Sequence, residues 1–169
     1  MAAVVDTSSS QKYFRKALGD LTINNYGQIK ALHEAVPSVS RAVFDDAVYK
    51  EALALDPISR LVYFNDICAG TVLCRKIPTG ATPITATSDF DIEIFSLVVL
   101  PAYTRLGLAS MLIANVIEEA SKDPKISQIF VALSAEADIA KTIYEKHGFV
   151  AATGRDPASD SLIHLVKSV

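Results

Sequence analysis

The sequence predicts a mixed α/β fold, a twisted sheet of about seven strands with helices on both faces. Two strand–helix–strand passages carry this prediction, one running from residue 90 through a helix to residue 133 and one from residue 126 to residue 153. Such passages connect parallel strands across a face of the sheet. Two apolar runs joined by Asn65-Asp66 predict an antiparallel hairpin as well, so the sheet is expected to be mixed.

Length and composition predict a single globular domain. The chain has 169 residues, of which 50% are apolar, enough for a sizeable core. We expect a flexible tail at residues 1–12 and one domain over residues 13–169. The net charge of −3 gives no support for nucleic-acid or anionic-membrane binding. No apolar run reaches membrane-spanning length and the N-terminus lacks a signal-peptide pattern, so a cytoplasmic location is expected.

The first third of the chain predicts a strand followed by two helices. Residues 13–21 form the strand, and Thr22 is the expected N-cap of the first helix. Four residues recur there at helical spacing, namely Tyr26, Ile29, His33 and Val36. A lone histidine on such a face is typical of packing rather than of catalysis. The second helix begins at Asp45 or Asp46 and ends at Asp56-Pro57.

The hairpin that follows contains both cysteines. Residues 61–64 and 67–77 predict its strands. Cys68 and Cys74 lie six residues apart, which predicts one shared face and a separation of roughly 20 Å, too far for a disulfide. Neither has another cysteine or a histidine close in sequence, so we expect free thiols and no metal site.

The last third predicts a strand, a helix and two strands. Residues 126–133 form the strand, and residues 137–147 form the helix, which Gly148 ends. Four side chains are expected to point inward from this helix, namely Ile139, Ala140, Ile143 and Tyr144. Residues 149–153 and 162–167 form the final strands.

The turn between the strand at residues 90–100 and the next helix has the chemistry of an anion site. Gly107 and Ala109 carry almost no side chain, so a ligand can approach the backbone closely. The first N–H groups of a helix lack intrahelical partners and lie at the positive end of its dipole. The predicted ligand is a pyrophosphate. The alternative is that these small residues only let the helix pack close to the sheet.

This turn resembles the acetyl-CoA signature R/Q-x-x-G-x-G/A of the GCN5-related N-acetyltransferase (GNAT) family. Three further stretches resemble NatE-type N-terminal acetyltransferases, namely ALGDLT at residues 17–22, LVYFNDICAG at 61–70 and YEKHGF at 144–149. The resemblance implies the GNAT fold. It also implies acetyl transfer from acetyl-CoA, as co-substrate, to the α-amino group of proteins that begin with Met followed by an apolar residue.

The resemblance implies site residues as well. Tyr144 is expected beside the thioester sulfur, where its hydroxyl assists the departing thiolate; alternatively it is only a packed aromatic residue. Backbone amides of Leu97, Val98 and Val99 would bind the pantetheine chain and polarise the thioester carbonyl. The pyrophosphate would be held by Arg105, Leu106, Gly107, Leu108, Ala109 and Ser110. The acceptor substrate would contact Phe44, Phe95 and Ala132.

Three positions depart from the family pattern. Glu93 and Ala132 stand where the active animal enzymes carry the Tyr and His that act as base through a water, and Thr104 replaces the first basic residue of the phosphate signature. An α-amino group is partly neutral near pH 7, so a weak base suffices. Glu93 is the candidate catalytic base, or else a solvated residue on the polar face of its strand.

These departures leave two alternatives open. One is a catalytically weak or inactive subunit of a ribosome-associated, NatA-type complex. The other is an acetyltransferase for small molecules or lysine side chains. In the leading hypothesis the partners are protein N-termini, with a NatA-type complex and the ribosome as further candidates.

Overall fold

A computed structural model describes residues 14–36, 46–79, 89–152 and 162–169 of the chain. Their elements, in chain order, are β1 (Lys16–Asp20), a 3-10 turn (Ile23–Asn25), α1 (Tyr26–Glu34), α2 (Asp46–Leu53), β2 (Arg60–Phe64), β3 (Ile67–Pro78), β4 (Phe90–Val99), a 3-10 turn (Pro101–Tyr103), α3 (Leu108–Ala120), β5 (Ile126–Ser134), α4 (Asp138–Lys146), β6 (Val150–Ala151) and β7 (Leu162–Ser168). Within these ranges, no helix is long and apolar enough to cross a membrane.

The seven strands form one sheet in the order β1-β2-β3-β4-β5-β7-β6. β4 and β5 are parallel, joined by α3, and the other neighbours are antiparallel. The prediction of a mixed seven-stranded sheet is confirmed. The order of the last strands in the sheet differs from their order in the chain. β7 lies between β5 and β6 and pairs with both.

Helices cover both faces of the sheet, as predicted. On one face, Leu112, Ile113 and Val116 of α3 pack against β4 and β5. On the other face, Ile29 and Leu32 of α1 and residues of α2 pack against β2, β3 and β4. We call these the α3 face and the α1 face. Burial of apolar side chains between helix and sheet is the main stabilising contribution to such a layer.

Two irregularities in strand pairing change which face the side chains take. Along β4 the partner of Leu73 is Ser96 and the partner of Cys74 is Ile94, so Phe95 is an extra residue. β3 has a similar irregularity, since Val62 pairs with Gly70 and Tyr63 with Cys68. Each extra residue shifts the alternation of side chains by one.

The second irregularity overturns the prediction that both cysteines share a face. Cys68 packs on the α1 face, whereas Cys74 is buried on the α3 face. Both thiols are free, as predicted. An even spacing places two residues on one face only in a strand without a bulge.

The sequence was also wrong about Ile139, whose side chain is 74% exposed, whereas Tyr144 is buried. The two residues are five positions apart, which corresponds to about 140° around a helix.

The tight turns were predicted correctly. Asn65 and Asp66 have φ values of 48° and 67° in the β2–β3 hairpin, and Gly148, with φ of 84°, follows α4.

Candidate active site

The sheet opens between its two parallel strands. Pairing between β4 and β5 runs only as far as Ile94 with Val131. Within the described ranges, the later residues of β4 pair only with β3, and residues 132–134 of β5 pair only with β7. Leu97, Val98 and Val99 therefore lie where the β5-facing edge of β4 is free, and alternate backbone N–H groups along that edge are open to a ligand.

The bulge at Phe95 marks the point where this opening begins. A bulge bends its strand and increases the local twist, which turns the end of β4 away from β5. After it, Leu97 and Val99 pack toward the α3 face, and Phe95 and Val98 toward the α1 face.

The predicted phosphate turn lies beyond the end of β4. Gly107, with φ of 79°, is the N-cap of α3, and Arg105 is also left-handed with φ of 64°. The amide of Met111 makes the first helical hydrogen bond, to the Gly107 carbonyl at 3.0 Å. The N–H groups of residues 108–110 therefore have no partner inside the helix. Sequence alone placed this turn correctly at the start of a helix.

A cation that the sequence did not mark also lies at this turn. Lys16 of β1 donates from Nζ to the carbonyl oxygen of Leu106 at 2.5 Å. Its ammonium group is 3.9 Å from where a Cβ on Gly107 would be. Meanwhile the Thr104 hydroxyl donates to the Pro101 carbonyl at 2.9 Å. Lys16 thus supplies positive charge at the turn, where Thr104 supplies none.

The sequence alone does not mark Lys16 as part of this turn, because Lys16 is 90 residues away from Leu106 in the chain. Two contacts bring it there. Lys16 pairs with Phe64 across β1 and β2, and the Phe64 ring lies 5.7 Å from that of Tyr103, in the 3-10 turn after β4. No local motif contains this relation.

Tyr144 reaches the core from α4 and lies on the α3 face. It is fully buried and contacts Phe149 edge-on, with ring centroids 5.2 Å apart. Burial, and secondarily the nearby Cys74 thiol, raise the pKa of Tyr144 well above its ordinary value. The phenol is therefore neutral and able to donate a hydrogen bond throughout the physiological pH range.

Glu93 projects to the α1 face, where it is paired. Arg75 donates from Nε to Glu93 Oε2 at 2.5 Å, and its guanidinium lies 5.8 Å from the centroid of the Phe95 ring. The hydrogen bond to Glu93 raises the pKa of Arg75. One carboxylate oxygen is thus engaged, and its availability as a base stays a prediction.

The remaining predicted residues divide between described and undescribed parts of the chain. Ala132 lies on β5 on the same face as Phe130, the neighbour of Glu93 across β4 and β5. Phe95, Glu93 and Ala132 therefore share the α1 face, opposite Tyr144. Phe44 lies outside the described residues.

A buried histidine supports β4 at the bulge. His33 of α1 is 2% exposed, and its Nε2 lies 2.6 Å from the Ser96 hydroxyl. Its Nδ1 lies 2.8 Å from the carbonyl of Ile29, so Nδ1 donates there and Nε2 accepts from Ser96. Burial lowers the pKa of His33, and the hydrogen bond to Ile29 opposes that shift. The sequence correctly placed this histidine on the packed side of its helix.

Comparison with known proteins adds evidence of kinship. The model of the acetyltransferase (GNAT) family matches residues 29–149. The N-alpha-acetyltransferase 50 of Danio rerio is 30% identical over 135 residues, which are 80% of this chain and 74% of that protein. A probable N-acetyltransferase, san, of Drosophila melanogaster is 31% identical over 132 residues, covering 78% of this chain and 66% of that protein.

Solved structures share the fold. Naa50 of Arabidopsis thaliana, in complex with the bisubstrate analogue CoA-Ac-MVNAL, superposes with a TM-score of 0.76 at 24% identity, over 91% of this chain and 99% of that one. NAA60 of the same plant, in complex with acetyl-CoA, superposes with a TM-score of 0.75 at 12% identity, over 92% and 100% of the two chains.

Proposed function

Because the chain belongs to the acetyltransferase (GNAT) family, we propose that it is an N-terminal acetyltransferase that moves acetyl from acetyl-CoA to the α-amino group of a protein. The observation that carries the proposal is the opening between β4 and β5, which leads to the uncapped start of α3. An extended thioester with a pyrophosphate at one end fits a free strand edge that ends at an anion site.

The residues of the site fit acetyl-CoA as co-substrate. The free N–H groups of residues 108–110 and the ammonium of Lys16 suit its phosphates, with Arg105 exposed beside them. Backbone amides among Leu97, Val98 and Val99 would bind the pantetheine chain and polarise the thioester carbonyl. No metal ion is needed for this chemistry.

The two faces of the sheet suit the two halves of the reaction. The amine enters from the α1 face, beside Glu93, Phe95 and Ala132, and its nitrogen attacks the thioester carbonyl. Glu93 or solvent takes the amine proton. Tyr144, on the α3 face, hydrogen-bonds the departing thiolate, and its neutral phenol suits a donor. Attack and departure thus take place on opposite sides of the opening.

We propose substrates that begin with Met followed by an apolar residue, as for a NatE-type enzyme. The similarity to Naa50, solved with an analogue carrying the peptide MVNAL, supports this choice. The half-buried Phe95 offers an apolar surface on the substrate side. The proposal includes a cytoplasmic location, which the two free cysteines favour.

The test is acetylation of Met-Leu and Met-Val peptides, followed by mass spectrometry, together with calorimetric titration of acetyl-CoA. Gly107→Glu puts a carboxylate at the phosphate turn and a side chain at a positive φ, so at least a 100-fold loss of affinity is expected. Gly27→Glu is the matched control, since a Cβ there meets nothing within 4 Å.

Two outcomes would redirect the proposal. Absence of acetylated peptide at high enzyme concentration, with acetyl-CoA still bound, would refute N-terminal transfer. Faster turnover of a free amine or a lysine side chain than of any N-terminus would reassign the acceptor.

A catalytically weak subunit of a larger, ribosome-associated acetyltransferase complex is the second candidate. Two observations favour it: the Glu93 carboxylate is paired with Arg75, and Ala132 has no functional group. This candidate predicts co-purification with a larger, NatA-type partner and no measurable turnover by the isolated chain. Turnover by the isolated chain, at a rate comparable with that of active relatives, would exclude it.

A further inference from the structure

Directly across from Ala132, on the next strand, stands a histidine. Ala132 of β5 and His164 of β7 are Cα partners in the antiparallel ladder. Side chains of directly opposed residues project from the same face and begin about 5 Å apart. Leu133 and Ile163, the next pair, pack on the α3 face. His164 therefore projects to the α1 face, with Ala132.

The residues beside His164 on the two neighbouring strands are both alanines. On the other side of β7, the amide of Ala152 donates to the His164 carbonyl at 2.9 Å, which continues the β6–β7 ladder. The imidazole is thus flanked by the methyl group of an alanine on each neighbouring strand.

One ring nitrogen of His164 has an unmet hydrogen-bonding requirement. Nδ1 is buried and has no hydrogen-bond partner among the described residues. A buried polar atom without a partner costs on the order of 1–3 kcal/mol, and nearly all buried polar atoms have a partner, so this exception calls for an explanation. The described residues thus leave one imidazole nitrogen on the α1 face without a hydrogen-bond partner.

We propose that His164 accepts the proton of the incoming α-amino group, directly or through one water. This inference rests on the proposed function and names the base for it. The amine nitrogen forms its bond to the thioester carbonyl carbon, and the C–S bond breaks. The amine proton moves to the imidazole, and the CoA thiolate leaves with the bonding pair, hydrogen-bonded by Tyr144.

The charged groups facing this region make Glu93 a weaker candidate. Asp91 and Glu93 project from β4, Arg75 from β3 and Glu51 from α2, where Glu51 interacts with Arg75. The ion pair keeps Glu93 with its guanidinium partner. His33, the other histidine on this side, has both ring nitrogens engaged.

The experiment measures steady-state acetylation of a Met-Leu peptide from pH 6 to 9. We expect His164→Gln to lower kcat about 100-fold at neutral pH, at the lower end of general-base effects, with KM for acetyl-CoA unchanged. The deficit should shrink toward pH 9, where the free amine already dominates. His147→Gln, at the half-buried residue that follows α4 and outside the proposed site, is the matched control and should behave as wild type.

A double variant tests the position of the base independently of folding. His164→Ala combined with Ala132→His moves the imidazole back to β5. We expect kcat of the double variant to be at least tenfold higher than that of His164→Ala alone. If His164 has only a structural role, kcat should not recover.

The outcomes separate this inference from the function on which it rests. Wild-type rate and pH profile in His164→Gln would refute the base while leaving N-terminal acetylation in place. A wild-type protein that binds acetyl-CoA but acetylates no peptide would refute the function, and the base with it. Loss in His164→Gln that the double variant does not relieve would also refute the role as base.

Discussion

At the scale of single residues, charge at the phosphate turn comes from an unexpected strand. Lys16 brings an ammonium group to the turn by its bond to the Leu106 carbonyl, whereas Thr104 bonds a backbone carbonyl with its hydroxyl. A Lys ammonium has three donors, and the bond to Leu106 uses one of them. Two donors remain for phosphate oxygens.

Lys16→Ala should weaken acetyl-CoA binding about two- to fivefold, an effect typical of one exposed ion pair. Acetyl-pantetheine, which lacks the pyrophosphate, should bind equally well to both proteins. The difference should also fade at 1 M salt, because screening is then strong. Calorimetry measures the affinity for acetyl-CoA, the affinity for acetyl-pantetheine and the dependence on salt. Lys30→Ala, on the exposed side of α1, is the control. Equal affinity of Lys16→Ala and wild type for acetyl-CoA would disprove the role.

Sequence reasoning succeeded at the turn and failed at Lys16 and His164 for one physical reason. Gly107 and the helix start are local, so spacing and residue type define them. Lys16 acts on Leu106 across 90 positions, and His164 faces Ala132 only through strand pairing. Register between distant strands is decided by tertiary packing, which a single sequence does not display.

At the scale of elements, the order of helices and strands along the chain and the turns were predictable, but the bulges were not. Phe95 and Ala69 are apolar residues in apolar runs, and nothing in composition marks an extra residue in a strand. The bulge at Phe95 matters most because it starts the opening. Strict alternation would place Phe95 and Ser96 on opposite faces, whereas both lie on the α1 face and Ser96 meets His33 there.

Close contact between β3 and β4 depends on one glycine. A Cβ on Gly70 would lie 2.4 Å from the carbonyl oxygen of Val98, next to the opening. Gly70→Ala should therefore destabilise the protein by about 1–3 kcal/mol, as overpacking does. Gly27→Ala, in α1 with free space around it, should stabilise by up to about 1 kcal/mol. Denaturant unfolding measures both, and a stabilising Gly70→Ala would contradict the packing argument.

The contact between α1 and β4 should make stability depend on pH. Burial lowers the pKa of His33 in the folded protein, so the unfolded chain binds more protons as the pH falls. The contribution of neutral, buried His33 to the free energy of unfolding is fully present above about pH 6.5, the ordinary pKa of histidine. It is lost progressively as the pH falls below that value. Unfolding free energies between pH 7.5 and 5 should fall less steeply in His33→Gln than in wild type.

His147 is the comparison for this measurement. Its pKa is also lowered, by partial burial and by Lys167, but its side chain is less buried than that of His33. His147→Gln should therefore reduce the dependence of the unfolding free energy on pH by less than His33→Gln does. Parallel curves for His33→Gln and wild type would show that the buried pair with Ser96 does not control stability at acid pH.

At the scale of the whole molecule, β7 completes the site. Because it lies between β5 and β6, the last described strand of the chain brings His164 beside Ala132, on the side where we propose that the substrate binds. Shortening the chain before β7 would remove the pairing partners of both β5 and β6. We expect a chain ending at residue 152 to fail to fold cooperatively, as followed by circular dichroism during thermal unfolding.

The opening between β4 and β5 has a further consequence for the chain's life in solution. Two strand edges without a partner inside a sheet are templates on which another chain can pair. A bound CoA moiety would occupy one of these edges and would thereby block its pairing with another chain. The protein should therefore resist aggregation better with acetyl-CoA bound than without it.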